Sequence, residues 1–257
     1  MNRLTQLFQN KNRNILSVYF TAGYPKLEDT ASILTALQIH GIDLAEIGIP
    51  FSDPLADGPV IQRSAGEALR NGMSLRILFE QLKDVRSTIK IPLVLMGYLN
   101  PIMQYGFELF CQSCANAGID GMIIPDLPFA DYLANYKETA EKYDVKMIML
   151  ITPETSEDRI RLIDQHTDGF IYLVSSASTT GAQQRFDAGK QTYFARVADM
   201  NLGNPLLVGF GISNKVTLDA ASAHTNGAIV GSKFIQLLGE NSSPDKAVGK
   251  LLEALNE

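Results

Sequence analysis

Eight short apolar runs alternate with longer segments of helical period, and this pattern predicts an α/β fold, the (β/α)8 TIM barrel with extra short helices. The length of 257 residues suits one barrel domain over residues 1–257, and no linker or low-complexity tract divides the chain. An open doubly wound sheet is the alternative. It would normally carry a G-x-G-x-x-G turn after its first strand, and FTAGYP at 20–25 lacks that spacing.

The strands follow from β-branched and aliphatic runs, and the helices follow from apolar residues that recur every three or four positions. The predicted strands are Ile15–Phe20, Leu44–Ile47, Leu93–Met96, Gly121–Ile124, Lys146–Ile151, Gly169–Val174, Leu206–Val208 and Ala228–Val230. Helices are predicted near residues 27–40, 59–71, 75–88, 107–117, 131–143, 156–165, 190–201, 214–223 and 245–256. An amphipathic segment at Asn2–Phe8 is expected to cover the barrel floor. Ser213 is expected to be the N-cap of the helix predicted at 214–223.

Charge and composition limit the classes of binding partner and the cellular location that we expect for this protein. The net charge is −6 and no basic cluster offsets it, which argues against binding to nucleic acid or to an anionic membrane. No apolar run is long enough to span a bilayer, and the first residues lack the apolar core of a secretory signal, so we expect a cytoplasmic protein. Cys111 and Cys114 fall within a helical segment, which favours packed apolar side chains over a redox or zinc motif.

The segment EIGIPFSDPLADG at 46–58 places one carboxylate, Glu46, in an apolar strand and two more, Asp53 and Asp57, in the loop that follows. A buried carboxylate is unfavourable unless it is paired or neutral, so such groups often mark functional sites. Alternation along the strand turns Glu46 toward the barrel interior, where burial would raise its pKa toward the range of general acid–base catalysis. A structural ion pair with a buried arginine or lysine is the alternative.

Two glycine turns follow the last two predicted strands, GFGIS at 209–213 and VGSKF at 230–234. Each leads into a helix, whose first backbone N–H groups can bind an anion, and the glycines allow close approach of a ligand. Two such turns, after the seventh and eighth strands of a (β/α)8 barrel, are typical of a phosphate site. The long polar segment at 175–192 faces the same rim and is expected to act as a lid.

Other chemistries have little support. No lysine stands at the carboxyl end of a predicted strand, which disfavours a Schiff base, and no histidine or cysteine spacing predicts a transition-metal site. A magnesium site formed by Asp53, Asp57 and Asp126 stays open as an alternative. The residues therefore favour carboxylate acid–base chemistry on a small phosphorylated molecule.

Several motifs together resemble one known family. EIGIPFSDPLADGPVIQ at 46–62 closely resembles the signature of the tryptophan synthase α subunits. So do FTAGYP at 20–25, MGYLNP at 96–101, DGMIIPDLP at 120–128, TTG at 179–181, GFGIS at 209–213 and VGS at 230–232. The motifs run in order along nearly the whole chain. The departures are Ala45, where the family usually has a larger aliphatic residue, and SSAST at 175–179, where many members carry an arginine and a glycine.

The resemblance implies a retro-aldol cleavage of indole-3-glycerol phosphate to indole and glyceraldehyde 3-phosphate, without metal or cofactor. By similarity, Glu46 would transfer protons and Asp57 would hydrogen-bond the indole N–H. Tyr172 would reach the glycerol portion, and Thr180 would help to position Asp57. The phosphate would be bound by Gly181, Gly211, Gly231 and Ser232. The indole pocket would be lined by Tyr19, Met96 and Phe210.

The resemblance also implies a partner. In an α2β2 complex, two α subunits would cap a β dimer that uses pyridoxal phosphate, and indole would pass to it through a tunnel. PFSDP and LNPIMQYG are apolar for exposed loops at one rim, as an interface would be. Two alternatives are a different phosphate-binding barrel enzyme and a catalytically silent barrel that binds and activates a partner.

Overall fold

Eight parallel strands form a closed barrel in which each strand pairs with its neighbours in chain order and β8 pairs with β1. The structure, a computed structural model, describes residues 1–175 and 185–257. The strands are β1 Ile15–Thr21, β2 Leu44–Gly48, β3 Leu93–Met96, β4 Gly121–Ile123, β5 Lys146–Ile151, β6 Ile171–Val174, β7 Leu206–Gly209 and β8 Gly227–Val230. The predicted barrel is confirmed.

Helices between the strands surround the barrel. They are α1 Arg3–Asn10, α2 Asp29–Ile39, α3 Pro59–Arg70, α4 Leu75–Leu82, α5 Leu99–Tyr105, α6 Phe107–Ala117, α7 Phe129–Asp131, α8 Lys137–Lys142, α9 Glu157–His166, α10 Ala188–Asp199, α11 Lys215–Ser222, α12 Ser232–Glu240 and α13 Pro244–Asn256. A 3₁₀ turn at Val85–Ser87 follows α4, and a π-helical turn at Tyr132–Tyr136 joins α7 to α8. Within the described residues, no helix is both long enough and apolar enough to cross a membrane.

Several predicted details are wrong. LNPIMQYG contains helix α5 instead of a loop, because Pro101 lies in the first turn, where a missing N–H removes no helical hydrogen bond. The helix predicted at 75–88 ends at Leu82 and resumes only as the 3₁₀ turn. Asn214, not Ser213, caps α11, because its side chain accepts from the N–H of Thr217, whose hydroxyl bonds back to the cap residue.

Alternation along the strands separates two apolar clusters. Side chains such as Leu44 and Val94 fill the barrel interior, whereas Ala45 and Ile47 pack outward beneath the helices. Leu4 of α1 is fully buried within the interior cluster. The amino-terminal helix therefore closes the barrel floor, as expected, and leaves the opposite mouth for a ligand.

Candidate active site

Glu46 lies inside the barrel on β2, two residues before the strand ends at Gly48, and its side chain is fully buried. The hydroxyl of Ser17, on the neighbouring strand β1, donates to Oε1 of Glu46 at 2.7 Å. The other carboxyl oxygen, Oε2, is buried and has no hydrogen-bond partner among the described residues. An unsatisfied carboxyl oxygen in a protein interior lowers the stability of the fold by about 1–3 kcal/mol. Residues that carry such a cost are typical of functional sites.

The alternative of a structural ion pair at Glu46 is wrong, since its hydrogen-bond partner is a serine hydroxyl. Arg86 instead pairs with Asp120 at 2.6 Å, on the opposite rim of the barrel. Burial raises the pKa of Glu46 from 4.5 to about 7, and the hydrogen bond from Ser17 acts in the opposite direction. A carboxyl group with that pKa can both give and take a proton at neutral pH.

Asp57 is the second acid of the site, at the end of the loop between β2 and α3, and it is 7% exposed. The hydroxyl of Tyr98 donates to its Oδ2 at 3.0 Å, and the same hydroxyl accepts from the N–H of Ala56 at 3.0 Å. Tyr98 therefore ties the loop and its carboxylate to the segment after β3. Burial raises the pKa of Asp57, and the bond from Tyr98 lowers it.

A cavity of about 420 Å³ opens at the carboxyl ends of the strands. Apolar and polar residues share its walls: Tyr19, Asp57, Ile61, Met96, Tyr172, Phe210, Gly211, Ile212, Ile229, Gly231 and Ser232. Glu46 lies one layer deeper, because its register partner on β3 is Val94, whereas Met96 on that strand reaches the cavity.

Comparisons with known proteins agree with this geometry. The model of the family described as tryptophan synthase alpha chain matches residues 5–257. The chain belongs to this family. It is 69% identical to the tryptophan synthase alpha chain of Parabacteroides distasonis over 257 residues, 100% of both chains.

Solved structures of the family share the fold. A tryptophan synthase subunit alpha from Legionella pneumophila str. Paris has a TM-score of 0.88 at 34% identity, over 99% of this chain and 97% of that one. A tryptophan synthase complex from Pyrococcus furiosus contains a chain with a TM-score of 0.84 at 33% identity, over 96% of this chain and 98% of that one.

Both glycine turns predicted in this tryptophan synthase α-family chain border the cavity. Gly211 has φ of +86°, and Gly231 is the residue before the first turn of α12. Because Gly231 and Ser232 both line the cavity, the positive end of α12 faces it. Phe210, between Gly209 and Gly211, has φ of +68°, a strained conformation for a bulky residue and one that is common at functional sites.

Two strand-end glycines make room for the tyrosines of the cavity. A Cβ on Gly48 would collide with the hydroxyl of Tyr19, and a Cβ on Gly209 would collide with the hydroxyl of Tyr172. Burial holds the pKa values of both tyrosines well above their usual range, and the charges of Glu46 and Asp57 act in the same direction. Both phenols therefore stay neutral and can donate hydrogen bonds at the pH of the reaction.

Asp53 and Asp126, the other acids considered in the sequence, are not among the described residues that line the cavity. Thr180 and Gly181, and with them residues 176–184 of the predicted lid at 175–192, lie outside the described residues. Asp53 is exposed, and Asp126 accepts a hydrogen bond from the N–H of Leu99 at 2.8 Å. In the ranges 1–175 and 185–257, no three His, Cys, Asp or Glu side chains come close enough together to hold a metal ion, which weakens the magnesium alternative.

Cys111 and Cys114 are fully buried in α6, as expected for apolar packing. Burial raises the pKa of Cys111 to about 12 and that of Cys114 well above its usual range. Such thiols are poor nucleophiles, so the pair has no support as a redox motif.

Sequence reasoning missed two hydrogen-bond donors to the carboxylates, Ser17 and Tyr98. Ser17 interrupts an otherwise apolar predicted strand, and Tyr98 stands within MGYLNP, one of the motifs that carry the family resemblance. The polar residue in a buried strand was the one available signal for Ser17, because buried hydroxyls require a partner.

Proposed function

We infer that this chain is a carbon–carbon lyase that cleaves indole-3-glycerol phosphate to indole and glyceraldehyde 3-phosphate in tryptophan biosynthesis, as the α subunit of tryptophan synthase. The observation that carries the inference is Glu46, a buried carboxyl with a pKa of about 7 below a cavity edged by two glycine turns. One of its oxygens has no hydrogen-bond partner among the described residues. Family membership supplies the reaction, and this geometry has the groups that the reaction needs.

The reaction requires one proton to be given and one to be taken. The protonated carboxyl of Glu46 gives its proton to the ring carbon that bears the glycerol chain, and positive charge develops on the ring nitrogen. The carboxylate then takes the proton of the hydroxyl on the adjoining glycerol carbon. As that oxygen becomes a carbonyl, the bond between the two carbons breaks and its electron pair returns to the ring. Glu46 ends protonated, as it began.

Asp57 is proposed to accept a hydrogen bond from the indole N–H and to stabilise the charge that develops on that nitrogen. The cavity excludes most water from this carboxylate, which strengthens the electrostatic effect. Tyr98 keeps Oδ2 of Asp57 occupied, so that Oδ1 is the oxygen available to substrate.

The rest of the cavity is assigned by the character of its walls. Tyr19, Met96 and Phe210 are proposed to enclose the flat apolar indole, and Tyr172 to bond the glycerol chain. Gly211, Gly231 and Ser232 are proposed to bind the phosphate through backbone N–H groups and the serine hydroxyl, at the N-terminal end of α12.

We propose that the chain binds a β subunit through the face beside the active-site loop. A groove of about 1280 Å³ there is lined by largely apolar residues, among them Ile49, Phe51 and Leu109. Leu55, in the loop that also carries Ile49 and Phe51, is 82% exposed, and Met103 of α5 is 44% exposed. Exposed apolar surface of this kind is typical of an interface, and the Pyrococcus furiosus relative was solved as a tryptophan synthase complex.

Three further assignments belong to this proposal. Residues 1–257 act as one domain, which agrees with a barrel whose last strand pairs with its first. The chain itself needs no cofactor, since the proton transfers are within reach of a carboxyl group, and pyridoxal phosphate belongs to the partner. It works in the cytoplasm, where the free thiols of Cys111 and Cys114 are stable.

The test is release of indole from indole-3-glycerol phosphate by the purified chain, alone and with a matching β subunit. Glu46→Gln should lower kcat by about a hundredfold or more, because it removes both proton transfers and leaves the shape of the side chain intact. Glu80→Gln makes the same chemical change at an exposed residue of α4 and serves as the matched control.

Activity that is weak alone and rises with the β subunit supports the lyase and its coupling to the partner. No indole under either condition overturns the lyase assignment and favours the silent, partner-binding barrel. Turnover of a phosphoribosyl substrate instead would favour another phosphate-binding barrel enzyme. Equal activity of Glu46→Gln and Glu80→Gln would remove Glu46 from the reaction.

A further inference from the structure

We propose that Ser17 is a positioning residue for the reaction: its hydroxyl holds Oε1 of Glu46, so that Oε2 is the oxygen that exchanges protons with the substrate. This inference rests on the lyase activity proposed above and adds which oxygen of the carboxyl group reacts and what selects it.

The geometry separates the two oxygens of Glu46. Ser17 Oγ donates to Oε1 at 2.7 Å, and both side chains are fully buried. Oε2 is equally buried and has no partner in the described part of the chain. A hydroxyl bound to a charged acceptor makes one of the stronger neutral-donor hydrogen bonds, so Oε1 is held while Oε2 keeps its lone pairs for another group.

The strands hold the donor rigidly. Ser17 and Glu46 stand on adjacent strands, where the register pairs Ser17 with Leu44 and Tyr19 with Glu46. The serine therefore lies on the floor side of the carboxyl group, and Tyr19 lies on the cavity side. Because Oε1 is held from the floor side, Oε2 is the oxygen that we expect to meet a bound substrate.

No fixed cation takes part in this arrangement among the described residues. Two effects shift the pKa of Glu46: burial raises it, and the hydrogen bond from the Ser17 hydroxyl lowers it. The titratable groups that share its field are Tyr19 of β1, Tyr172 of β6 and Asp57 of the loop after β2. Both tyrosines are neutral near pH 7, and Ser17 is the hydrogen-bond donor that opposes the effect of burial on Glu46.

The alternative is that Ser17 only satisfies a buried acceptor and contributes to stability. The two roles differ in their effect on the ionisation of Glu46 during the reaction. A positioning hydroxyl favours the carboxylate, so its loss makes Glu46 harder to ionise and moves the pH dependence of the reaction upward. A purely structural hydroxyl changes stability and leaves the pH dependence of turnover in place.

The experiment compares Ser17→Ala with Ser64→Ala in indole release from indole-3-glycerol phosphate across pH 5–9. Ser64 is also a buried serine, and its hydroxyl meets Thr21 at 2.7 Å, so its loss is matched in burial and bonding without touching Glu46. Ser17→Ala should lower kcat at pH 7 by about tenfold to a hundredfold, with KM within about twofold of the wild type.

The limb of the kcat/KM profile near pH 7 should move upward by about one pH unit in Ser17→Ala and stay in place in Ser64→Ala. Ser17→Thr keeps the hydroxyl and should keep the wild-type limb. An unmoved limb in Ser17→Ala, or a limb moved equally in Ser17→Thr, overturns the positioning role. A wild type without activity would instead refute the lyase itself, so the two failures are distinguishable.

Discussion

Replacing Glu46 with glutamine should change how the stability of the fold depends on pH. The carboxyl group has a pKa of about 7 in the folded chain and an ordinary value of 4.5, because the interior disfavours its charge. The folded state therefore binds the proton more tightly than the unfolded state does. In the wild type, stability falls as pH rises above 4.5, and the loss is complete above about pH 7.

The size of the effect follows from the two pKa values. A carboxyl whose pKa rises from 4.5 to about 7 on folding lowers the free energy of unfolding by about 3 kcal/mol once both states are ionised. Glutamine cannot ionise, so Glu46→Gln lacks this loss. Its unpaired amide adds a penalty of about 1–3 kcal/mol, but that penalty does not vary with pH.

The assay is urea unfolding of wild type and Glu46→Gln between pH 4.5 and pH 8, followed by circular dichroism. The difference in stability between them should shift toward the variant by about 3 kcal/mol over that range. Glu80→Gln makes the same chemical change at an exposed side chain and provides the control. A difference for Glu46→Gln that stays constant with pH would refute the raised pKa and the acid–base role built on it.

Three further variants test other parts of the site. Tyr98→Phe removes the hydrogen bond to Asp57 and should lower kcat about tenfold in the indole-release assay; unchanged kcat would contradict the role of Tyr98. Ser232→Ala should raise KM by about tenfold at unchanged kcat, and a fall in kcat alone would speak against phosphate binding. Gly209→Ala should displace the ring of Tyr172 and abolish most activity, whereas retained activity would show that the tyrosine can move freely.

Much of the site was predictable because it depends on local rules. Strand alternation predicted that Glu46 points inward, and the glycines after the last strands identified two turns that border the cavity. The helix at Leu99–Tyr105 was not predicted, although Pro101 is compatible with it because the first turn of a helix accepts a proline. The cap of α11 was misplaced by one residue, since Ser213 and Asn214 have similar capping propensity and only the reciprocal bond with Thr217 distinguishes them.

The sequence by itself determined the barrel, the family and the acid that the chemistry needs, because hydrophobic period, turn residues and a carboxylate in an apolar strand are all properties of short segments. Only the tertiary structure decided which groups act on that acid. Ser17 is 29 residues away from Glu46, and Tyr98 is 41 residues away from Asp57. Both contacts arise from the register of neighbouring strands and the loops that leave them, and the pKa of Glu46 arises from burial by the whole barrel.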